Sequence, residues 1–265
     1  MQQKALERFN QTHSLIPQDD GNFRFKIKVT RLPDELYPEN VDGVKITNQA
    51  LSRYYALENR LHAQRNGVLK KGVHERIQAL IDDGIIKEVG NWDDHKEKFL
   101  KPQAKENENI LLPWQCVIDS SKTMEHSRIR LCLDATEANR LIYKIDAEMP
   151  SILEMLVLWR LNRFWCFLDL KSMFWSILTD EADCKLQQCI FRFSKEEKIK
   201  LYLFVRCVMG MCDSPGLARL VLLKLAETLK DEFPMAKETI KNRHIWMTSK
   251  LLATMKKPWQ KKPLI

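Results

Sequence analysis

The chain has 265 residues, 45% of them hydrophobic and eight of them glycine, so it can bury a sizeable core and is neither a loop-rich nor a repeat sequence. Its formal net charge of +8 favours an anionic partner, nucleic acid first, although a solvated lysine-rich surface explains the same charge equally well. No stretch approaches a membrane span, because Trp159 to Ile177 is broken by Arg160, Arg163, Asp169 and Lys171.

The seven cysteines are scattered, and the pairs Cys184/Cys189 and Cys207/Cys212 are each separated by four residues rather than the two of a zinc knuckle. They read as small buried thiols in a reducing, intracellular setting, cytoplasmic or nuclear. The start, MQQKALERFNQTHSL, lacks the apolar core of a signal peptide.

In chain order, residues 1–22 are polar and read as a loose tail. Phe23 to Val29 alternates and predicts a strand. Thr47 or Asn48 is placed to cap a helix in which Leu51, Tyr54, Leu57 or Glu58, and Leu61 recur on one face. A second helix covers roughly Val73 to Asp83, with Gly84 as its left-handed stop. Trp92 to Asn109 is charged and without period, and reads as a loop.

ILLPWQCVI predicts a strand whose Pro113 belongs at an edge. After a polar turn, RIRLCLDAT alternates strictly. Ile129, Leu131 and Leu133 should face one way; Arg130, Cys132 and Asp134 should face the other. Pro150-Ser151-Ile152-Leu153-Glu154 opens a helix with a capping-box pattern, and its apolar surface all round predicts burial through about Leu161. Trp165 to Leu168 reads as a short buried strand ending at Asp169. That carboxylate suits Mg²⁺, a hard cation that takes oxygen ligands, but taken alone it reads first as the cap of a helix through LKSMFWSI. LQQCIFRF and IKLYLFVRCV predict two strands joined by SKEEK. Ser214-Pro215 starts a long helix, and RHIWM with KLLATM reads as a final hairpin. Strands and helices are mixed, mostly out of βαβ order, which points to an α+β fold.

Taken in order, five blocks resemble the reverse transcriptase of BEL/Pao-type retrotransposons. ALIDDGIIKEV is similar to the entry to the fingers, and LPWQCVID with RIRLCLDAT to the paired finger strands. FLDLKSMFWSI resembles the first palm motif, VMGMCDSPGLA the turn that supports template and primer, and FPMAKETIKNRHIWMTSKLL the run into the last palm hairpin. The resemblance implies a right-hand polymerase with fingers and palm, an antiparallel palm sheet packed on helices, and a thumb absent. Residues 23–66 would precede the fingers, 67–164 form them, 165–255 form the palm, and 256–265 make a basic tail.

It also implies roles. Arg130 matches the finger arginine that grips the triphosphate of an incoming dNTP, with Asp134 on the same strand face. Asp169 matches the first metal-binding aspartate, and Leu170 would add its backbone carbonyl. Phe174 matches the aromatic gate under the sugar; Gly210, Ser214 and Pro215 match the turn that holds the template–primer. Two Mg²⁺ ions about 4 Å apart need further carboxylates. At the matching positions this chain has Thr248 and Ser249, whose neutral hydroxyls are weak ligands for Mg²⁺. The expectation is a polymerase fold that performed template-directed DNA synthesis in its ancestor and is catalytically impaired here. The other readings are a non-catalytic nucleic-acid-binding relic and a pseudogene-derived fragment without activity.

Overall fold

The computed structural model describes residues 14–17, 23–27, 42–63, 67–101, 109–118, 129–142, 152–161, 170 and 172–228, with Glu7, Lys144 and Pro234 as isolated positions. The chain divides into two units. The first comprises Met1–Ala147 with Phe174–Val221, the second Glu148–Met173 with Leu222–Ile265.

Among the described residues the first unit carries three small sheets and two long helices. Strands β1 (Ser14–Pro17) and β2 (Phe23–Ile27) pair antiparallel, and β2 pairs in parallel with β6 (Ile177–Thr179). A second sheet has the order β3 (Ile86–Asn91), β8 (Lys200–Phe204), β7 (Gln188–Phe191), antiparallel throughout. The third is the antiparallel pair β4 (Trp114–Ile118) and β5 (Ile129–Leu133). Helices α1 (Gly43–His62) and α2 (Gly67–Asp82) complete a mixed helix-and-sheet arrangement in which antiparallel pairing dominates.

Helix α1 begins earlier than residue types near Thr47 imply. Asp42 is the cap, its carboxylate accepting from the Lys45 amide at 3.1 Å, which satisfies one of the free N–H groups of the first turn. Thr47 instead lies buried inside the helix and donates its hydroxyl to the Phe99 carbonyl at 2.8 Å. The apolar stripe Ile46, Ala50, Tyr54, Leu57 and Leu61 follows the helical period and is buried. Helix α2 starts a turn and a half before Val73 and buries Leu69, Val73, Ile77 and Leu80. It ends as its composition predicts: Gly84 sits at φ +61, the Gly84 amide donates to Ile81 O and the Ile85 amide to Leu80 O. Those two bonds satisfy carbonyls the last turn would otherwise leave open.

Three further differences have physical causes. A strand, Ser14–Pro17, lies within the polar stretch read as a loose tail, because an edge strand needs only backbone pairing. Trp92 to Phe99 is wound into two short 3₁₀ turns, with Trp92 and Phe99 buried against one another at 5.0 Å between ring centroids. Two large aromatics give that charged segment enough apolar area to be held down. Between Leu170 and Ile177 the described residues form no α-helix. Phe174–Ser176 makes one 3₁₀ turn and leads into β6. That strand is held by buried Gln187, whose Nε2 lies 3.0 Å from Thr179 Oγ1 and 2.8 Å from the carbonyls of both Phe204 and Arg206.

One ion pair stitches α1 to the β7–β8 turn. Arg192 donates to both Glu58 carboxylate oxygens through its Nε–Nη2 edge, at 2.6 and 2.9 Å, and Tyr54 Oη donates to the same carboxylate at 2.9 Å. Arg192 also donates to the carbonyls of Lys195 and Glu197, so one cation organises the turn as well as the pair. The hydrogen bonds from Arg192 hold the Glu58 carboxyl below its ordinary pKa. Burial and the bond to Glu58 push Tyr54 far upward.

In the second unit, helix α3 (Ile152–Leu161) forms where the capping-box pattern predicts. Its burial is a correction: Leu153, Leu156, Val157 and Leu161 are exposed. Helix α4 (Ser214–Thr228) begins in the first unit at the predicted Ser-Pro and continues into the second. The strand expected over Trp165–Leu168 and the last hairpin lie outside the described residues. No helix among the described residues is long and apolar enough to cross a membrane.

Candidate nucleic-acid interface

The β4–β5 pair is built by alternation. Its register sets Trp114 opposite Leu133 and Cys116 opposite Leu131 on the core side, and Ile118, exposed at the strand end, opposite Ile129. Trp114, Ile129 and Leu133 are buried there, and the Trp114 indole N–H donates to the Ile190 carbonyl at 3.2 Å. On the reverse face Gln115, Val117, Arg130 and Cys132 are all exposed. Arg130 is therefore an exposed residue on a ribbon fixed by its other side. Cys132 departs from the expectation of buried thiols, whereas Cys184, Cys189 and Cys207 meet it.

Asp134 stands just past the end of β5. Its carboxylate accepts from the Thr136 amide at 3.0 Å and from the Thr136 hydroxyl, and it is ion-paired with Arg53 of α1. The Thr136 bonds, then Arg53, bring its pKa down to about 2 against a smaller opposing effect of burial. Arg130 lies four residues back along the strand, roughly 13 Å at the usual rise, so the two side chains act at separate points. Arg53 is a partner that sequence inspection misses, because nothing in a helix face announces which distant strand end it will meet.

Behind Asp134, α1 and the segments 111–113 and 134–138 enclose a cavity of about 470 Å³. Leu111, Leu112, Pro113 and Ala138 line it with apolar surface. Its charged residues are Arg53, Asp134 and Glu137; the first two pair with each other and Glu137 pairs with Arg140, so the one lining cation is already matched to a carboxylate. The balance is unfavourable for a phosphate.

The turn at Gly210 packs against the same strand end. Gly210 has φ +103, a conformation few other residues adopt, and a Cβ there would sit 3.3 Å from the Leu133 carbonyl oxygen. Met209, Gly210 and Pro215 are exposed. Ser214 is not: it is 1% exposed, donates its hydroxyl to Val208 O at 2.7 Å, and accepts from the Cys207 thiol at 3.2 Å. Its polar capacity goes into folding the turn and starting α4. Burial pushes the thiols beside it up, Cys207 to about 12 and Cys212 to about 11, so neither is a nucleophile at neutral pH.

Phe174 is half-buried in its 3₁₀ turn, within the first unit, and Leu170, within the second, is exposed. Asp169, Thr248 and Ser249 lie outside the described residues. Among the described residues there is no group of three or more His, Cys, Asp or Glu side chains able to hold a metal ion. The expected ligand set contains one carboxylate and two neutral hydroxyls, which does not fit a pair of Mg²⁺ ions.

No protein-family model matches the chain, and no curated protein matches it. A solved structure described as the foamy viral protease-reverse transcriptase dRH in complex with ds DNA is similar over 60% of this chain. The identity is 15%, the TM-score 0.41, and the similar region covers 23% of that chain. A likeness at this score does not by itself fix fold or activity.

Proposed function

We propose that the chain is a reverse-transcriptase-derived domain of BEL/Pao type, with fingers over 67–164 and palm over 165–255, that binds nucleic acid and is impaired in DNA synthesis. The observation that carries this reading is a convergence. Arg130, which the resemblance assigns to the triphosphate, is exposed on β5. Gly210, which it assigns to the template–primer, packs against the carbonyl at the end of that same strand, some eighty residues of chain away from it. The reverse side of the ribbon, Trp114, Ile129 and Leu133, is part of the core, with Trp114 against Phe204, so the exposed face is presented rigidly.

In this reading Arg130 takes the phosphates of a dNTP, a planar permanent cation against anionic oxygens. Phe174 packs beneath the sugar. Gly210 lets the turn pack against the end of β5, where a Cβ would meet the Leu133 carbonyl, and so sets the turn's backbone beside the template–primer. Asp169 and the Leu170 carbonyl are left without the two aspartates that would complete the metal site, so Mg²⁺ binding is weak and synthesis impaired.

Primer extension on an oligo(dT)-primed RNA template with Mg²⁺ or Mn²⁺ tests the impairment, and robust incorporation would sink it. Restoring the carboxylates, Thr248→Asp with Ser249→Asp, sharpens the test, since recovered incorporation would mean that only the ligands were lost. Binding is tested separately. Affinity for an RNA/DNA primer–template should fall steeply with salt, and undetectable or salt-independent binding overturns the reading.

A further inference from the structure

The stretch that follows β5, residues 134–142, contributes a residue with no assigned role. Asn139 uses both ends of its side-chain amide on the Gly210 turn. Its Nδ2 donates to the Gly210 carbonyl at 2.9 Å, and its Oδ1 accepts from the Cys212 backbone amide at 2.7 Å. The Cys212 thiol lies 3.5 Å from the Ile142 carbonyl and 4.0 Å from the Asn139 carbonyl. The loop is itself fixed at its start by Asp134 and wound into a short 3₁₀ turn over Ala138–Arg140.

We infer that Asn139 is the positioning residue of the Gly210 turn: it sets where the exposed backbone of that turn stands relative to the strand that carries Arg130. The inference deepens the proposed function and rests on it. The chemistry is specific to an amide. A turn at φ +103 exposes one carbonyl and one N–H of opposite polarity two residues apart, and only a group with a donor and an acceptor side by side meets both. Aspartate keeps the acceptor for Cys212 N but sets an oxygen against Gly210 O. Alanine leaves both backbone groups without this partner.

The consequence is that Asn139 governs recognition without touching the ligand. A loose turn remains folded, because Ser214 and the Leu133 contact still hold it, but its backbone no longer stands at a fixed height beside the strand. Affinity for a paired primer–template, which demands one geometry, then falls more than affinity for a flexible single strand of equal length, which adapts.

The experiment uses the full chain and two labelled probes, an RNA/DNA primer–template and a single-stranded DNA of equal length, followed by fluorescence anisotropy at one salt concentration. Asn139→Asp is compared with Tyr54→Phe, which removes a buried hydrogen bond to Glu58 on another side of α1. Melting temperatures are measured for both. The expected result is about a tenfold loss of primer–template affinity in Asn139→Asp, with single-strand affinity changed less than threefold and Tyr54→Phe binding both probes as the wild type does. Equal affinity of Asn139→Asp and wild type overturns the inference. So does a loss that is the same for both probes, or that Tyr54→Phe reproduces in proportion to its drop in melting temperature, because either marks a purely structural residue. If Asn139→Asp does not fold, Asn139→Ser, which shortens the reach without adding charge, carries the same comparison. A wild type that binds neither probe overturns the proposed function itself.

Discussion

Two of the antiparallel strand pairs of the first unit, β7–β8 and β4–β5, are made of similar residues and are covered differently. In β7 all four residues are buried, and in β8 three of five are, with β3 on its far edge. In β4–β5 one face is covered and the other is bare. The polar groups follow suit. Around β7–β8, Arg192, Glu58, Tyr54 and Gln187 are spent on one another and on backbone carbonyls. On β4–β5 Gln115 and Arg130 lie on the exposed face. A pair covered on both faces can only be scaffold; a pair covered on one face can be held still by the scaffold and still meet a ligand.

The largest effect should come from breaking the scaffold side. Arg192→Ala strands the Glu58 carboxylate, which is 6% exposed, and should cost about 3–5 kcal/mol in urea unfolding. Replacing both partners with apolar residues should recover most of that loss, and failure to recover would mean the pair matters through the Lys195 and Glu197 carbonyls instead. The opposite pattern belongs to the ligand side. Arg130→Ala should leave unfolding within about 0.5 kcal/mol of wild type. It should reduce dNTP affinity about tenfold in a binding titration. Stability loss without affinity loss there would erase the distinction between the two pairs.

Smaller effects sharpen the boundary between them. Asp134 has its pKa lowered from 3.8 to about 2, so its contribution is present above pH 3.8 and is lost as the pH falls through about 2. Because Arg53 is more than half exposed, that contribution should be about 1 kcal/mol, and Asp134→Asn should remove it from a pH series of melting curves. The least is expected of His74. Its ring stands edge-on to Phe191 and Phe193 at 5.6 and 5.2 Å, and burial and then Lys70 lower its pKa from 6.5. Stability should be full above pH 6.5 and decline as the pH falls below it, and His74→Phe should flatten that decline.

How much of this was legible follows from the range over which each feature is decided. The faces of β5 were readable because a period of two with one face buried leaves a single solution, and Gly84 because a helix stop is chosen by its own residue. The start of α1 was not. Asp42 and Thr47 are both acceptable caps, and it is the distant Phe99 carbonyl that takes the Thr47 hydroxyl. Helix α3 was misjudged for burial because apolar residues all round state a preference, not a neighbour. In the candidate site, Arg130 and Gly210 stood out through a family resemblance. Arg53 and Asn139 did not, since each acts only on a partner some seventy to eighty residues away. The one available hint was an amide-bearing side chain on a tight turn beside an alternating strand, which is too common to single out.

Strand β8 has a hydrogen-bonded neighbour on each edge, whereas among the described residues β4 and β5 have only each other. Under hydrogen exchange the amides of β8 should therefore be released only by global unfolding, and those of β5 by a cheaper local opening. The ribbon that carries Arg130 is then also the one of the two strand pairs that opens first, and anything seated on it would slow that exchange selectively.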